Sequence, residues 1–177
     1  MKNYKWLVVF LIFIFIFVAY WLKISNISLI KNYQEGKSNI AVTPGCAKPS
    51  DGTAQVCVGN QNFAIELATD PAVQRQGLSD RQSMDINTGM LFVYPENRNL
   101  VFWMKDMHFP IDLLWIDGDI VRGIEKNMVV PTPGTSDQDL KTYAAPTAVD
   151  KVLEINAGLI DKYGIKIGDQ IKYYNIP

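Results

Sequence analysis

Between Val101 and Ile124 the apolar runs are interrupted twice by residues that no long helix tolerates. Pro110 has no amide hydrogen to give to a helix or to a central strand. Asp117-Gly118 then separates the apolar runs Ile111–Ile116 and Ile120–Lys126. An Asp-Gly pair so placed is a strong hairpin signal, because both residues accept positive φ. The stretch therefore predicts three short strands, Val101–Lys105, Ile111–Ile116 and Ile120–Lys126. It also holds Trp103 and Trp115, and His108, the single histidine of the chain. Aromatic, charged and turn chemistry coincide where the chain is forced to be sheet.

The flanking sequence continues in short elements. Ala54–Val58 and Asn62–Ala68 read as strands around a Gly59-Asn60-Gln61 turn. In the second, Phe63, Ile65 and Leu67 alternate with Ala64, Glu66 and Ala68, the period of a half-buried strand. Thr69-Asp70-Pro71 opens a short helix that runs to Gln76, with a capping side chain followed by proline in the first turn. Gly77 ends it. Leu78–Gly89 and Val130–Leu140 read as loops, Met90–Tyr94 and Val152–Ile155 as strands. Ala157–Tyr163 reads as a helix stopped by Gly164, and Ile171–Tyr174 as the closing strand. About eight short strands and two small helices predict an α+β, mainly β fold, a compact antiparallel β-barrel-like domain over residues 53–177.

Ahead of that domain, Trp6–Leu22 is unbroken and apolar between Lys5 and Lys23. As a helix it spans about 26 Å, close to the roughly 30 Å hydrocarbon core of a bilayer. Trp6, Tyr20 and Trp21 sit near its ends, where amphipathic rings prefer the interface. A cleavable signal peptide wants a shorter apolar region followed by a small-x-small site, whereas Ala19 is followed by Tyr20-Trp21-Leu22. Residues 1–23 are therefore expected to be an uncleaved N-terminal transmembrane helix, with the membrane as partner through residues 6–22. Residues 24–52, scattered with Ser, Asn, Lys, Gly and Pro, are expected to be an extracytoplasmic linker. The lysines on the two sides nearly balance, so orientation rests on Cys46 and Cys57, the only cysteines. Paired, they stabilise the fold by about 3 kcal/mol, and only in an oxidising compartment. The alternative is two separate thiols. The expected location is the cell membrane, single-pass, with the globular domain outside the cytoplasm. A formal net charge of −1 leaves no basic stripe for nucleic acid.

Several short motifs follow one another in a recognisable order: Arg75-x-Gly77-Leu78, Gly89-Met90-Leu91-Phe92, Phe102-Trp103-Met104-Lys105, Ile111-Asp112-Leu113, Ala157-Gly158 and Gly168-Asp169. Together, over roughly Val56 to Tyr174, they resemble the domain of unknown function 192 family, also called uncharacterised protein family 0127. The resemblance implies a compact β-rich domain, often behind a signal peptide or membrane anchor, and brings no settled activity. Where the family has Asn-Thr after Trp-Met-Lys, this chain has Asp106-Met107 followed by His108, so a role for Asp106 or His108 is particular to this chain.

In a strand, alternate residues share a face, and Pro110 marks a strand end or edge. Lys105, Asp106, His108 and Asp112 are thereby expected at one rim of the barrel, with Trp103 and Phe109 as walls. That would make a shallow polar pocket suited to a sugar or a peptide. The structural alternative makes Trp103, Met104 and Trp115 core and Lys105–Asp112 an ion pair. Arg75 either anchors the short helix or offers a guanidinium fork to a carboxylate. Tyr143, in a loop before the last strands, is a candidate lid, and Glu154 reads as a solvated or paired strand residue. No nucleophile elbow, phosphate-binding glycine pattern or calcium loop occurs, and no second Cys or His pair completes a zinc site. No metal or cofactor is expected. The leading functional expectation is a membrane-anchored extracytoplasmic binding module for envelope polysaccharide, peptide or partner protein. The alternative is a small envelope hydrolase using Asp112 with His108 or Lys105.

Overall fold

Alternation decides which way each strand faces, and the computed structural model, which describes residues 46–176, shows both faces of the main sheet in use. The order of elements is β1 (Gln55–Val58), β2 (Gln61–Ala68), α1 (Pro71–Gln76), β3 (Thr88–Arg98), β4 (Val101–Trp103), β5 (Ile111–Asp117) and β6 (Ile120–Met128). A 3-10 turn (Asp137–Asp139), β7 (Thr142–Ala144), β8 (Val149–Asn156), α2 (Leu159–Tyr163) and β9 (Lys172–Tyr174) complete it. Seven strands form one sheet in the order β6-β5-β8-β3-β2-β1-β9, and β4 pairs with β7 in a separate ribbon. Ile120 bridges Gln170, and the Ile171 amide donates to the Asp119 carbonyl at 2.7 Å. The β6 edge thus meets the chain entering β9, and the sheet curls into a half-barrel.

The fold is mainly β with two short helices, as the turn-rich sequence predicts. Pairing is antiparallel except between β2 and β3, which run parallel with Leu67 opposite Leu91. A parallel neighbour needs a crossover connection, supplied here by α1 and the loop after it. Strand β3 runs on through Pro95, which falls where the β3–β8 register shifts between Val93 and Arg98, so no ladder bond is lost. In the hairpin, Asp117 pairs with Ile120, so the central residues are Gly118 and Asp119. Only Gly118 of these has positive φ, 62°, the pattern of a type II′ turn with glycine first, not of one in which Asp117 is central.

Two apolar layers hold the sheet. Within the curl lie Val56, Phe63, Leu91, Leu114, Leu153 and Ile160. On the other face Met90, Phe92, Leu113, Trp115 and Val152 pack beneath Leu78, Met107 and Tyr143. Strand β5 is consequently buried at every position from Ile111 to Ile116. That is the physical reason for its unbroken apolar run, since a strand covered on both sides has no polar face to alternate with. Each large apolar side chain fully buried there contributes about 1.5–3 kcal/mol.

Cys46 and Cys57 form a disulfide with their Cα atoms 5.5 Å apart. The Tyr174 hydroxyl donates to the Cys46 carbonyl (2.9 Å) and the Asn62 amide to that of Ala47 (3.0 Å), so the chain from residue 46 is already held against the sheet. Among the described residues no helix is long and apolar enough to cross a membrane. The anchor expected at residues 1–23 and the linker up to residue 45 lie outside the described residues.

Candidate binding site

The outer face of the sheet carries a cross-strand row of Leu113, Glu154, Met90 and Glu66. Two of the four are acids, and their surroundings treat them differently. Glu66 receives a bidentate hydrogen bond from Arg81, at 2.6 and 2.8 Å, which holds its carboxyl below the usual range. Glu154 is 5% exposed. Burial pushes its carboxyl up to about 8, opposed only by the charge of Arg81. At neutral pH Glu154 is thus mostly a neutral acid, able to donate a hydrogen bond as well as accept one.

What buries it is a second layer assembled from distant parts of the chain. The Asp70 carboxylate caps α1 by accepting from the Ala72 amide at 2.7 Å, and Pro71 starts the helix. Gln74 pins the helix to the sheet through bonds to the carbonyls of Ala68 (3.0 Å) and Val93 (2.9 Å). Beyond Gly77, the Ser79 hydroxyl donates to the Lys105 carbonyl and the Asp80 amide to that of Asp106, both at 2.8 Å. The α1 loop and the chain after β4 are thereby stitched together over the sheet. In β4 only Phe102 turns inward, edge-on to Phe92 (5.0 Å) and Trp115 (5.6 Å). Its neighbours Val101 and Trp103 remain 59% and 47% exposed.

Between these layers is a cavity of about 290 Å³, bordered by Arg75, Tyr94, Phe102, Trp103, Met107 and Glu154. Burial raises the Tyr94 phenol, Arg98 opposes that rise, and the nearby charge of Glu154 adds to it. The Arg98 guanidinium lies 5.3 Å from the Tyr94 ring centre. The cavity therefore joins a buried neutral acid and a phenol to aromatic walls, with a guanidinium at its border.

The residues singled out in the sequence divide among separate places. Arg75 and Trp103 border this cavity. Lys105 and His108 border a different one of about 240 Å³, with Pro131, Thr132 and Asp137. The Lys105 ammonium pairs with Asp137, and it also lies 5.6 Å from the Trp103 ring centre. Asp112 joins neither cavity. It is 1% exposed, and its two oxygens accept from the amides of Asn127 (2.8 Å) and Ile160 (2.9 Å). The carboxylate of β5 thus caps the first turn of α2 and satisfies a strand amide, a structural task that leaves no lone pair facing solvent. A Lys105–Asp112 ion pair does not form. Tyr143 is in a strand and not in a loop: it is paired with Phe102 in the β4–β7 ribbon and is buried. Phe109 is buried core rather than a pocket wall, whereas His108 is exposed.

Glu154 is the residue that local reading misses. Its alternation with Leu153 and Ile155 says only that it lies opposite the inner core, and not that another layer covers that opposite face. Among the described residues no group of three or more His, Cys, Asp or Glu is placed to hold a metal ion.

Fold and site together define a curled β half-barrel whose outer face is roofed by a helix, a loop and a two-stranded ribbon around one buried acid. Residues 54–173 match the domain of unknown function 192 family, described as an uncharacterised ACR, and the chain belongs to that family. Two solved structures are similar to it. A Sinorhizobium meliloti 1021 protein, provisionally named a transcription regulator, is 29% identical with a TM-score of 0.60, over 70% of this chain and 93% of its own. A Novosphingobium aromaticivorans DSM 12444 protein of unknown function is 28% identical with a TM-score of 0.59, over 75% of this chain and 96% of its own. No curated protein matches the sequence.

Proposed function

We propose that the chain is a membrane-anchored extracytoplasmic binding module whose ligand enters the cavity above Glu154. The supporting observation is the acid itself. A carboxyl desolvated enough to titrate near 8, set in an apolar layer at the border of a cavity, marks a candidate functional site. A ligand offering a polar group to Glu154 and Tyr94 while covering Trp103 and Phe102 would use the acid, the phenol and the aromatic walls of the cavity. The Cys46–Cys57 disulfide supports an oxidising location, and Trp6–Leu22 supports the anchor. The provisional name of the Sinorhizobium relative points towards nucleic acid, for which a formal net charge of −1 offers no basic counterpart. A hydrolase built on Asp112 with His108 or Lys105 lacks geometric support, since the Asp112 oxygens are engaged by two backbone amides.

Calorimetric titration of the intact chain with short peptides and envelope oligosaccharides tests the site. Binding is expected to be saturable, without turnover, and lost in Trp103→Ala and in Glu154→Leu. A ligand that binds both variants as it binds the native chain would place the site elsewhere. Protease added to spheroplasts of the host cells tests the location, and a domain that resists digestion until the inner membrane is broken refutes the outward orientation.

A further inference from the structure

The ribbon strand β4 has one partner and two edges. In an antiparallel pair, hydrogen-bonded and non-hydrogen-bonded residue pairs alternate along the ladder. The Ala145 amide donates to the Leu100 carbonyl at 2.9 Å, and Val101 pairs with Ala144, Phe102 with Tyr143 and Trp103 with Thr142. Leu100 and Phe102 therefore direct their backbone groups at β7. Val101 and Trp103 direct theirs the opposite way, off the unpaired edge. No β7 residue borders the cavity above Glu154, whereas Val101, Phe102 and Trp103 all do. The free edge of β4 is thus a wall of that cavity. It presents two amides and two carbonyls at the spacing of a strand, beside a buried carboxyl.

The charges at this mouth have one sign. None of the ion pairs among the described residues includes Arg75 or Arg98. Arg75 borders the cavity, and Arg98 lies over the ring of Tyr94, which also borders it. At the floor, a neutral Glu154 repels no anion and can donate a hydrogen bond to one. Sugar hydroxyls have no fixed match to the repeat of a strand edge, whereas an extended polypeptide matches its amides and carbonyls in register by the usual route of strand addition.

Building on the cavity assignment above, we infer that the ligand is an extended peptide that adds as a third strand to the free edge of β4 and places a carboxylate at Arg75 and Glu154. Main-chain bonds to Val101 and Trp103 give affinity that tolerates many sequences. The carboxylate, either an acidic side chain or the peptide's own terminus, gives selection. The occupied ribbon has three strands, and the exposed faces of Val101 and Trp103 are covered by side chains of the added one.

The test uses the full-length chain in mild detergent and, as probes, pools of randomised hexapeptides with either free-acid or amidated C-termini, with and without Asp and Glu. Acid-bearing pools are expected to bind at least tenfold more tightly than neutral amidated ones, and Arg75→Ala should remove that preference. Val101→Pro deletes only an amide that the β4–β7 ladder does not use, and should weaken a selected peptide at least tenfold, whereas Val101→Ala should not. Because the proline variant risks misfolding, the same peptide methylated on alternate backbone nitrogens is titrated against the native chain, and one of the two methylation patterns must weaken binding. Equal binding of both methylated forms overturns strand addition. If no pool binds while an oligosaccharide does, and Trp103→Ala and Glu154→Leu abolish that binding, the peptide is refuted and the cavity assignment stands. If peptides bind but ignore both of those substitutions, both assignments fall.

Discussion

Glu154→Gln isolates the thermodynamic cost of the buried acid. In the unfolded chain this glutamate titrates near its ordinary value of 4.5, and in the fold near 8. Below 4.5 both states hold the proton, and folding pays nothing for ionisation. As pH rises from there towards 8, the unfolded chain releases the proton while the fold keeps it, so stability falls with pH. At about 1.36 kcal/mol per pH unit, the gap between 4.5 and about 8 amounts to about 5 kcal/mol, lost in full only above the folded value. That is comparable to the whole stability of a marginal domain. Glutamine has nearly the same shape and no proton to lose. Its stability relative to the native chain should therefore rise by about 4 kcal/mol between about pH 4.5 and pH 8.5. Urea unfolding of the intact chains, followed by tryptophan fluorescence, measures this at several pH values. The ion pairs of Glu66 and Asp117, whose carboxyls are lowered, give the opposite slope, but they are common to both chains and cancel in the difference. A difference that stays flat across the range would falsify the burial of Glu154 as an unpaired acid.

The remaining expectations concern the frame around the site. Asp112→Ala leaves the amides of Asn127 and Ile160 unpaired in a buried setting, and should destabilise by about 3 kcal/mol or more in the same unfolding assay, because hydrogen bonds to a charged group are each worth about 1.5–3 kcal/mol. A neutral outcome would mean that water replaces the carboxylate. Cys57→Ser opens the loop closed with Cys46 and should cost about 3 kcal/mol. Reducing agent should lower the midpoint of the native chain by a similar amount and leave the variant unmoved. Gly89→Ala puts a Cβ 2.7 Å from the Glu154 carbonyl oxygen, so β3 and β8 must separate where they carry the acid. Loss of amide protection in both strands by hydrogen exchange is the expected readout, and unchanged protection would show that the contact relaxes freely.

What was legible in the sequence and what was not divide along the two layers of the fold. Most of the strands, both helices and the β5–β6 hairpin follow from local punctuation: Asp70-Pro71, Gly77, Asp117-Gly118 and Gly164 each act within a few residues of the element they begin or end. The three-residue strand β7 carries no such signal, and Tyr143 consequently reads as loop. The site is harder, because it depends on what lies above the sheet. Val152 and Glu154 share a face, and a strand with a glutamate on one face and Leu153 and Ile155 on the other reads as half-solvated when taken alone. The contrary hint stands in a different strand. Ile111 to Ile116 has no polar face apart from Asp112, so β5 must be covered on both sides, and any neighbour paired along its length must be covered as well. Leu113 lies opposite Glu154, and that pairing carries the burial of β5 across to the acid. The pairing joins residues far apart in the chain, and no periodicity encodes it. The same holds for Asp112, which looks catalytic next to Lys105 and His108 in sequence. Its partners are the amides of Asn127 and Ile160, brought to it by the β6 edge and by α2. In a sheet roofed by its own loops, proximity along the chain pointed to the residues that cap the fold. The acid at the cavity is legible only through the strand it pairs with.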